Sequence, residues 1–527
     1  MRKSNLVRLF VLVLVLSTSA RVLTAQSHEG NAIPGVSSRA PGKAAKGLDA
    51  AKLPHALMGM QYETYFIPSV YLPDYGGVGF DPGSWETAEA IPILGKYSSY
   101  DVNIIRKHEE WFEYLGIDWL LIDWTNFPWM NPVWEQHQGA THEIEETTEL
   151  LFKTYSQLEK EGKHPPKLVI MLGLENGTPV PHALERLNGV VAWTKMEFLD
   201  KPEYENQWLY YNGKPLLTIL FVPAHPCEDL KGTIAQSPLV APDWTIRWMA
   251  SQLQVNHAEG CGMWSWMDGI IRQVVTYNSG TAEETVVTPA AFPIPDGWLD
   301  PRTAGRDHGT PYLESWEVAF ESRPKFIQIH QWNEFAGQAK GTGGGPKHNV
   351  FGDEYNAELS DDIEPTELNG CGYRGCGGWG YYYMNMTKAL ISLYRNETPD
   401  ITVMALSAPF QPATVKDKKL PLTWKTLGKK PSSYTLELDG KTVANNITGQ
   451  DYTLDLSQIQ SGKHHVNLVA NGVHTYFDLG PEKLAEKSTT PLPVTSAIEF
   501  NYAPDFRVKQ PSGSMVRKDC QETGDKE

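Results

Sequence analysis

Acidic side chains stand at the ends of several apolar runs that have the pattern of buried strands. The clearest run, residues 326–330, leads into Gln331-Trp332-Asn333-Glu334-Phe335 and then into a glycine-rich segment. In barrel enzymes the strand ends at one rim carry the chemistry. Cleavage of a glycosidic bond requires two carboxyl groups a few ångströms apart, one protonated and one ionised. The strand-end acids predicted to supply such a pair are Glu334, Glu175 and Asp123.

Aromatic and polar residues beside these acids are candidates for substrate binding. Indole faces can stack on the apolar faces of sugar rings, although packing inside a barrel is the alternative role for any single tryptophan. For a single acid, the alternative role is a salt bridge or a helix cap. The predicted substrate-binding set comprises Asn333, Trp332, Glu63, Tyr62, Trp124, Trp129 and Asp268.

Other chemistries lack their motifs. No Gly-x-Ser-x-Gly elbow is well placed, and residues 341–345 are glycine-rich without the Lys-Ser/Thr of a phosphate loop. No metal ligands and no redox or nucleotide cofactor are predicted. The acidic stretch at residues 353–364 has the oxygen ligands that calcium uses, but its irregular spacing favours a solvated acidic loop.

Apolar runs alternate with amphipathic stretches between residues 55 and 395, which indicates parallel strands joined by crossover helices. Helical periodicity is clear at residues 101–115 and 144–161. Strands are predicted at residues 55–66, 117–124, 168–174, 189–193, 215–222, 261–266, 285–292 and 326–332. This number and order predict a (β/α)8 barrel of the TIM type. A doubly wound sheet is the alternative, but the first turn lacks its glycine fingerprint.

Beyond residue 400 the pattern changes to short alternating runs. Asp439-Gly440 and Asn471-Gly472 separate such runs, and both dipeptides are strong hairpin signals. The pattern predicts a small all-β sandwich of the immunoglobulin or fibronectin type. We expect it to brace the barrel, with carbohydrate binding as the alternative. The predicted organisation is a signal peptide (1–25), a flexible leader (26–50), the barrel (51–397), the sandwich (398–480) and a polar, largely disordered tail (481–527).

Composition and the first residues bear on location and partners. Basic residues precede the apolar run 9–16 and small residues follow it, the pattern of a cleaved signal peptide and hence of a secreted or periplasmic protein. That run is too short to span a bilayer, so no membrane insertion is predicted. The formal net charge of −17 argues against nucleic acid and leaves a glycan as the expected partner. Of the five cysteines, Cys371 and Cys376 could close a short loop, and Cys227 could pair with Cys261. Nothing in the sequence defines an oligomeric state.

Two segments resemble glycoside hydrolase family 99-like, endo-α-mannosidase-related proteins. Residues 93–100, followed by 105–108 and 116–118, resemble a G-x-Y-x-S loop that leads to a helix and a Gly-Ile-Asp strand. Residues 302–334 resemble a second segment of that group, which ends in Trp332-Asn333-Glu334. The resemblance covers residues 55–395 and implies a (β/α)8 barrel that acts on α-linked glycans such as α-mannosides.

One position departs from that family. Its members carry a second glutamate, the acid/base, three residues after Asn-Glu, and this chain has Gly337 there. The mechanism and the mannoside substrate therefore do not carry over. Either Glu175 or Asp123 replaces the partner in a secreted glycoside hydrolase, in which Asn333 hydrogen-bonds a sugar hydroxyl, or the chain is a non-catalytic carbohydrate-binding protein on a barrel scaffold. A structural cell-surface protein is a more distant third reading.

Overall fold

A parallel β-sheet with helices packed on it forms the larger part of the fold. The computed structural model describes residues 48–66, 85, 88–125, 143–175, 183–221, 226–236, 238–250, 262–268, 272–278, 282–292, 298, 303, 305–335, 355–372, 375–407, 418–460, 462–475 and 497–502. The strands of this sheet are β1 (Leu48–Asp49), β2 (Leu57–Tyr62), β3 (Trp119–Trp124), β4 (Lys167–Glu175), β5 (Leu209–Tyr211), β6 (Lys214–Phe221), β7 (Thr245–Ala250), β8 (Trp264–Ser265), β9 (Thr276–Asn278), β10 (Ala282–Pro289) and β11 (Phe326–His330).

Its parallel strands run in the order β10-β11-β2-β3-β4-β6-β7-β8. Side chains join the two ends of this order. Trp264 of β8 donates from Nε1 to Glu284 of β10 at 2.7 Å, and the Arg247 guanidinium of β7 donates to both oxygens of Glu284. The sheet therefore curls until its ends approach, as in a TIM-like fold. Backbone pairing between β8 and β10 is not formed by the described residues, so closure into a complete barrel stays a prediction.

Alternation along the strands produces two cores. One hydrophobic cluster lies inside the curled sheet and includes Leu57, Trp119, Leu121 and Val169. Residues of this cluster that share a strand are two positions apart, so they point to the same face. Their even-numbered neighbours belong to a larger cluster between the strands and the helices. Gly59 lies in the inward row, where a Cβ atom would overlap the Trp119 indole. Glycine at that position therefore leaves room for the largest side chain in the sheet interior.

The helices are α1 (Val102–Leu115), α2 (Glu143–Lys160), α3 (Ala183–Thr194), α4 (Pro226–Gln236), α5 (Thr310–Ser322) and α6 (Tyr382–Tyr394). The local sequence explains both ends of α1. Asp101 accepts the backbone N–H of Asn103 at 2.8 Å as its N-cap, and Gly116 ends the helix in the left-handed conformation at φ 85°. In the described part of the chain, no helix combines the length and the apolar character needed to cross a membrane.

The remaining strands form a hairpin and a second unit. They are β12 (Cys371–Gly372), β13 (Gly375–Cys376), β14 (Ile401–Ser407), β15 (Lys419–Gly428), β16 (Ser433–Leu438), β17 (Lys441–Ile447), β18 (Asp451–Asp455), β19 (Gly462–Asn471), β20 (His474–Thr475) and β21 (Ala497–Tyr502). Cys371 and Cys376 form the disulfide that the sequence suggested, across the β12–β13 hairpin. The second unit consists of two sheets, β18-β15-β14-β20 and β17-β16-β19-β21, which share one hydrophobic cluster. Its assignment to the immunoglobulin or fibronectin type stays a prediction.

Strand β14 belongs to both units. Ile401, Val403 and Ala405 join the cluster of the larger unit, whereas Met404 and Leu406 join the cluster of the second unit. Helices α5 and α6 contact β14 from the first side. The second unit is therefore packed against the first through one strand with two buried faces.

Several predicted elements need correction. Residues 189–193, predicted as a strand, lie inside helix α3, because a short apolar run has no period of its own to distinguish helix from strand. The sheet also contains a strand that was not predicted from the sequence, β7 at residues 245–250, which follows β6 in the chain. Residues 497–502, assigned to the polar tail, form β21 along β19. Residues 1–47, which include the predicted signal peptide, lie outside the described residues.

We predict that Glu284→Ala lowers the free energy of unfolding by about 2–4 kcal/mol, because it leaves the partly buried Arg247 charge without its buried partner. The measurement is urea-induced unfolding. Glu161→Ala is the matched control, since Glu161 pairs with Arg106 at 2.8 Å but is 40% exposed, and its loss should lower the stability much less because water screens an exposed pair. Equal costs for the two variants would contradict a stabilising role for the buried pair.

Candidate functional site

Two of the predicted carboxylates meet at the carboxyl end of the parallel strands. The side-chain amide of Gln61 on β2 donates from Nε2 to Glu63 Oε1 at 3.4 Å and to Asp123 Oδ2 at 3.2 Å. Glu63 is 1% exposed and Asp123 is 3% exposed. One amide nitrogen, Gln61 Nε2, thus bonds both carboxylates. The distance between their two bonded oxygens is therefore at most the sum of the two hydrogen-bond lengths.

Strands β8 and β11 complete the surroundings of this pair. Gln331 Nε2 donates to Glu63 Oε1 at 3.0 Å, and Trp266 Nε1 donates to Gln61 Oε1 at 2.5 Å. The His330 imidazole stacks on Trp266, with ring centroids 5.6 Å apart and an interplanar angle of 15°. The His330–Gln331 peptide bond is cis. Polar groups from strands that are distant in the sequence therefore converge at this end of the sheet.

Asn333 is occupied by the protein itself. Its Oδ1 accepts the backbone N–H of Glu63 at 2.8 Å, and its Nδ2 donates to the Glu63 carbonyl at 3.1 Å and to the Tyr97 hydroxyl at 3.0 Å. Both amide hydrogens are committed and the side chain is fully buried. Asn333 thus positions Glu63, and its predicted hydrogen bond to a sugar hydroxyl stays a prediction.

The contacts of Asn333 continue into a buried network on the helix side of the sheet. The Tyr97 hydroxyl donates to Glu364 Oε2 at 2.7 Å, and His108 Nε2 lies 3.2 Å from Glu364 Oε1. The Tyr62 hydroxyl lies 3.0 Å from His108 Nδ1. Burial raises the pKa of Tyr62, and burial together with the Glu364 charge raises that of Tyr97, so both remain donors at neutral pH.

The acidic stretch after β11 is buried rather than solvated. Ile363 N–H donates to the Gln331 carbonyl at 2.8 Å and Glu364 N–H donates to the Trp332 carbonyl at 2.9 Å, so the stretch extends the sheet. Arg306 holds it from the other side, donating to Ser360 Oγ at 2.7 Å and to the Asp362 carbonyl at 2.9 Å. The prediction of a solvated acidic loop is wrong for Asp361, Asp362 and Glu364, which are at most 1% exposed.

Within that stretch, Asp362 and Glu89 form a buried acidic pair. Burial raises the pKa of Asp362 to about 8. Burial raises the pKa of Glu89 well above its usual range, and the charge of Asp362 raises it further. One proton shared by the pair supplies the hydrogen bond that two ionised carboxylates cannot make. Asp362 Oδ1 also accepts the backbone N–H of Glu334 at 2.6 Å, so the pair fixes the chain at Glu334.

Among the candidate acids whose side chains the structure describes, Glu334 is the most exposed, at 8%. Its catalytic role stays a prediction. Asp268 lies at the end of β8, where Oδ2 accepts the Val274 N–H at 3.3 Å and the backbone bonds the Gln273 side chain. That position orders the chain after β8. The Glu175 backbone ends β4, but its side chain lies outside what the structure describes, as do Trp129 and Gly337.

Three predicted substrate contacts lie in the layer between strands and helices. Trp332 is fully buried, 4.8 Å from the Phe112 ring centroid, and Tyr62 packs on the same ring. Trp124 donates from Nε1 to Thr148 Oγ1 of α2 at 2.9 Å. Their predicted sugar contacts find no support in these positions, since each side chain faces away from the Glu63–Asp123 pair.

The site residues predicted from the sequence did not include Gln61, Gln331 and His330. One signal was present, because residues 326–330 read Phe-Ile-Gln-Ile-His, with Gln328 and His330 two residues apart and hence on one face of the strand. Within the described ranges, no three His, Cys, Asp or Glu side chains gather in a way that could hold a metal ion. The expectation that the chain carries no metal or other cofactor stays a prediction.

Comparison with known proteins gives the following findings. No family model matches the chain, and no curated protein matches it. Two solved structures of the GH99 endo-alpha-mannosidase from Bacteroides thetaiotaomicron are 16% identical over 66% of this chain and 98% of theirs, with TM-scores of 0.43 and 0.42. The beta-glucuronidase 2 of Bacteroides uniformis is 10% identical over 86% of this chain and 48% of its own, with a TM-score of 0.37. These neighbours are glycoside hydrolases, and membership of family 99 stays a prediction.

We predict that the stability of the protein falls as the pH rises from about 4 through about 8, because of the Glu89–Asp362 pair. The folded state retains a proton that the unfolded chain releases in the ordinary carboxyl pKa range. The contribution of the pair to the free energy of unfolding is therefore fully present below that pH range and is lost as the pH rises through the raised pKa. In Asp362→Asn, which keeps the Oδ1 acceptor, this fall should be smaller. The measurement is the urea midpoint at several pH values.

Asp439→Asn is the control for that experiment, since Asp439 lies on the surface and its bonds to His464 and His465 lower its pKa. It should leave the fall in stability between about pH 5 and pH 9 unchanged. A fall of the same size in Asp362→Asn and in the wild type would show that the acidic pair is not its source.

Proposed function

We propose that the chain is a glycoside hydrolase whose essential carboxyl groups are Glu63 and Asp123. The observation that supports this proposal is the Gln61 amide, which holds the two carboxylates together at the carboxyl end of the parallel strands. The carboxyl ends of parallel strands in such sheets are where active sites lie. A pair of this kind can protonate a leaving glycosidic oxygen with one carboxyl group and stabilise or attack the anomeric carbon with the other.

The surroundings of the Glu63–Asp123 pair suit a reaction at an uncharged sugar ring. Gln61, Gln331 and the Trp266 indole hold the carboxylates in fixed positions, and the indole offers an apolar face within the same cluster. Each of the two acids is held by groups from a second strand, which places their oxygens without reorganisation during a reaction. The substrate would be an oligosaccharide or polysaccharide, with secretion following from the predicted signal peptide.

The assignment of the pair differs from the sequence-based one. Asp123 is retained, Glu63 moves from the substrate-binding set to the catalytic pair, and Glu334 and Glu175 remain further candidates. Family 99 chemistry on α-mannosides is not part of the proposal, because Gly337 replaces the partner glutamate.

We predict that Glu63→Gln and Asp123→Asn each lower kcat by about 10²–10⁴-fold on a substrate found by screening the mature chain against polysaccharides with a reducing-end assay. Each change removes the ionisable group and keeps the shape of the side chain. The kcat values of Glu334→Gln and Glu175→Gln are measured in the same assay and decide whether either glutamate is catalytic.

Glu109→Gln is the matched control, because Glu109 is 2% exposed but lies on α1, away from the strand ends. It should retain the wild-type rate. Turnover at the wild-type rate in Glu63→Gln would overturn the assignment. Glycan binding by calorimetry with no product from the wild type would favour the carbohydrate-binding protein instead.

A further inference from the structure

His330 is a buried imidazole whose nitrogens have no hydrogen-bond partner among the described residues. It is 2% exposed and ends β11, with its ring against Trp266. Its polar neighbours are the Gln331 side chain, whose interaction with the imidazole raises the His330 pKa, and the Asp361 carboxylate, whose Oδ2 lies 3.6 Å from His330 Nδ1. Neither contact has the geometry of an ordinary hydrogen bond. A buried polar group without a partner costs free energy, so its presence points to a group that arrives from outside.

The imidazole lies within the site that holds the carboxylate pair. Trp266 contacts His330 with its face and bonds Gln61 with its edge. The residue after His330, Gln331, bonds Glu63 directly. His330 is thus linked to Glu63 by two separate routes, one through Gln331 and the other through Trp266 and then Gln61.

The charge state of His330 follows from its surroundings. Burial lowers its pKa, while the negative Asp361 and the Gln331 side chain oppose that effect without overcoming it. The acids of the facing strands are Glu63, directly after β2, and Asp123 on β3, both bound to amide donors. The neutral imidazole, which can accept a proton, is therefore the main form at neutral pH.

We propose that His330 is the general base of this site, with Asp361 as the carboxylate that positions it. The proposal rests on the proposed glycosidase function and makes the reaction inverting. Nδ1, which faces Asp361, carries the hydrogen, and Nε2 accepts the proton of a water molecule.

The step balances as follows. The oxygen of water forms a bond to the anomeric carbon while its proton passes to His330 Nε2. The bond from that carbon to the leaving oxygen breaks, and the leaving oxygen takes a proton from one carboxyl group of the Glu63–Asp123 pair. The other carboxylate stabilises the positive charge at the anomeric carbon. Proton exchange with solvent then returns the imidazolium and the carboxylate to their starting forms.

The experiment compares the wild type with His330→Ala, His330→Gln and Asp361→Asn on the substrate found by screening. His108→Gln is the matched control, since His108 is also buried and lies beside a carboxylate, but on the helix side of the sheet. Circular dichroism checks folding, and His330→Gln serves if the alanine variant does not fold. NMR of the first product identifies the anomer.

We expect inverted product, a fall in kcat of about 10²–10⁴-fold in both His330 variants with KM little changed, and loss of the acid limb of the pH–rate profile. Added imidazole should restore part of the rate to His330→Ala, which a purely structural role would not allow. Wild-type rates in a folded His330 variant, or product of retained configuration, would overturn this proposal and leave the glycosidase standing. Absence of turnover in the wild type would overturn both.

Discussion

The amide of Asn333 binds the backbone of Glu63 in both directions, and the arrangement of the candidate site depends on this contact. It joins the end of β2 to the chain just after β11, the first and last long strands of the parallel sheet. A side-chain amide carries an acceptor oxygen and a donor nitrogen side by side, so it can accept from a backbone N–H and donate to the carbonyl of the same residue. Since the contact is backbone-directed, it fixes the position of residue 63 while leaving its carboxylate to Gln61 and Gln331.

A second constraint is the number of acids that the fold buries. In the described part of the chain, one guanidinium, that of Arg306, bonds the region of four nearly inaccessible acids, Glu89, Asp361, Asp362 and Glu364. Arg306 lies between the rings of Trp379 and Tyr383, with its central carbon 3.5 Å and 4.6 Å from the ring centroids. One cation cannot neutralise several carboxylates, so protons and backbone N–H groups carry the rest. The polar interior near Glu334 is therefore more sensitive to pH than the interior of the sheet.

Much of the fold follows from sequence periodicity. The strands β2, β3, β4, β6, β10 and β11 and the helices α1 and α2 lie where alternation and capping residues place them. The error at residues 189–193 arose because Gly-Val-Val-Ala-Trp is apolar on every face. The acids Glu63 and Asp123 were foreseeable as strand-end residues. Their partner Gln61 was not, because a glutamine inside a strand has no sequence signature until the strands are brought together. The contact between Asn333 and the Glu63 backbone was not foreseeable for a related reason, since the two residues are 270 positions apart in the sequence.

The two buried faces of strand β14 limit how the chain can be shortened or divided. Its alternate side chains complete two different hydrophobic clusters. A shorter chain that ended before residue 401 would leave an apolar strip on α5 and α6 open to water, and a detached second unit would lose one of its central strands. Exchange of either unit for an unrelated domain is therefore disfavoured, because each unit needs β14 to complete its hydrophobic cluster. The two units are therefore expected to be inherited together and to melt in one transition.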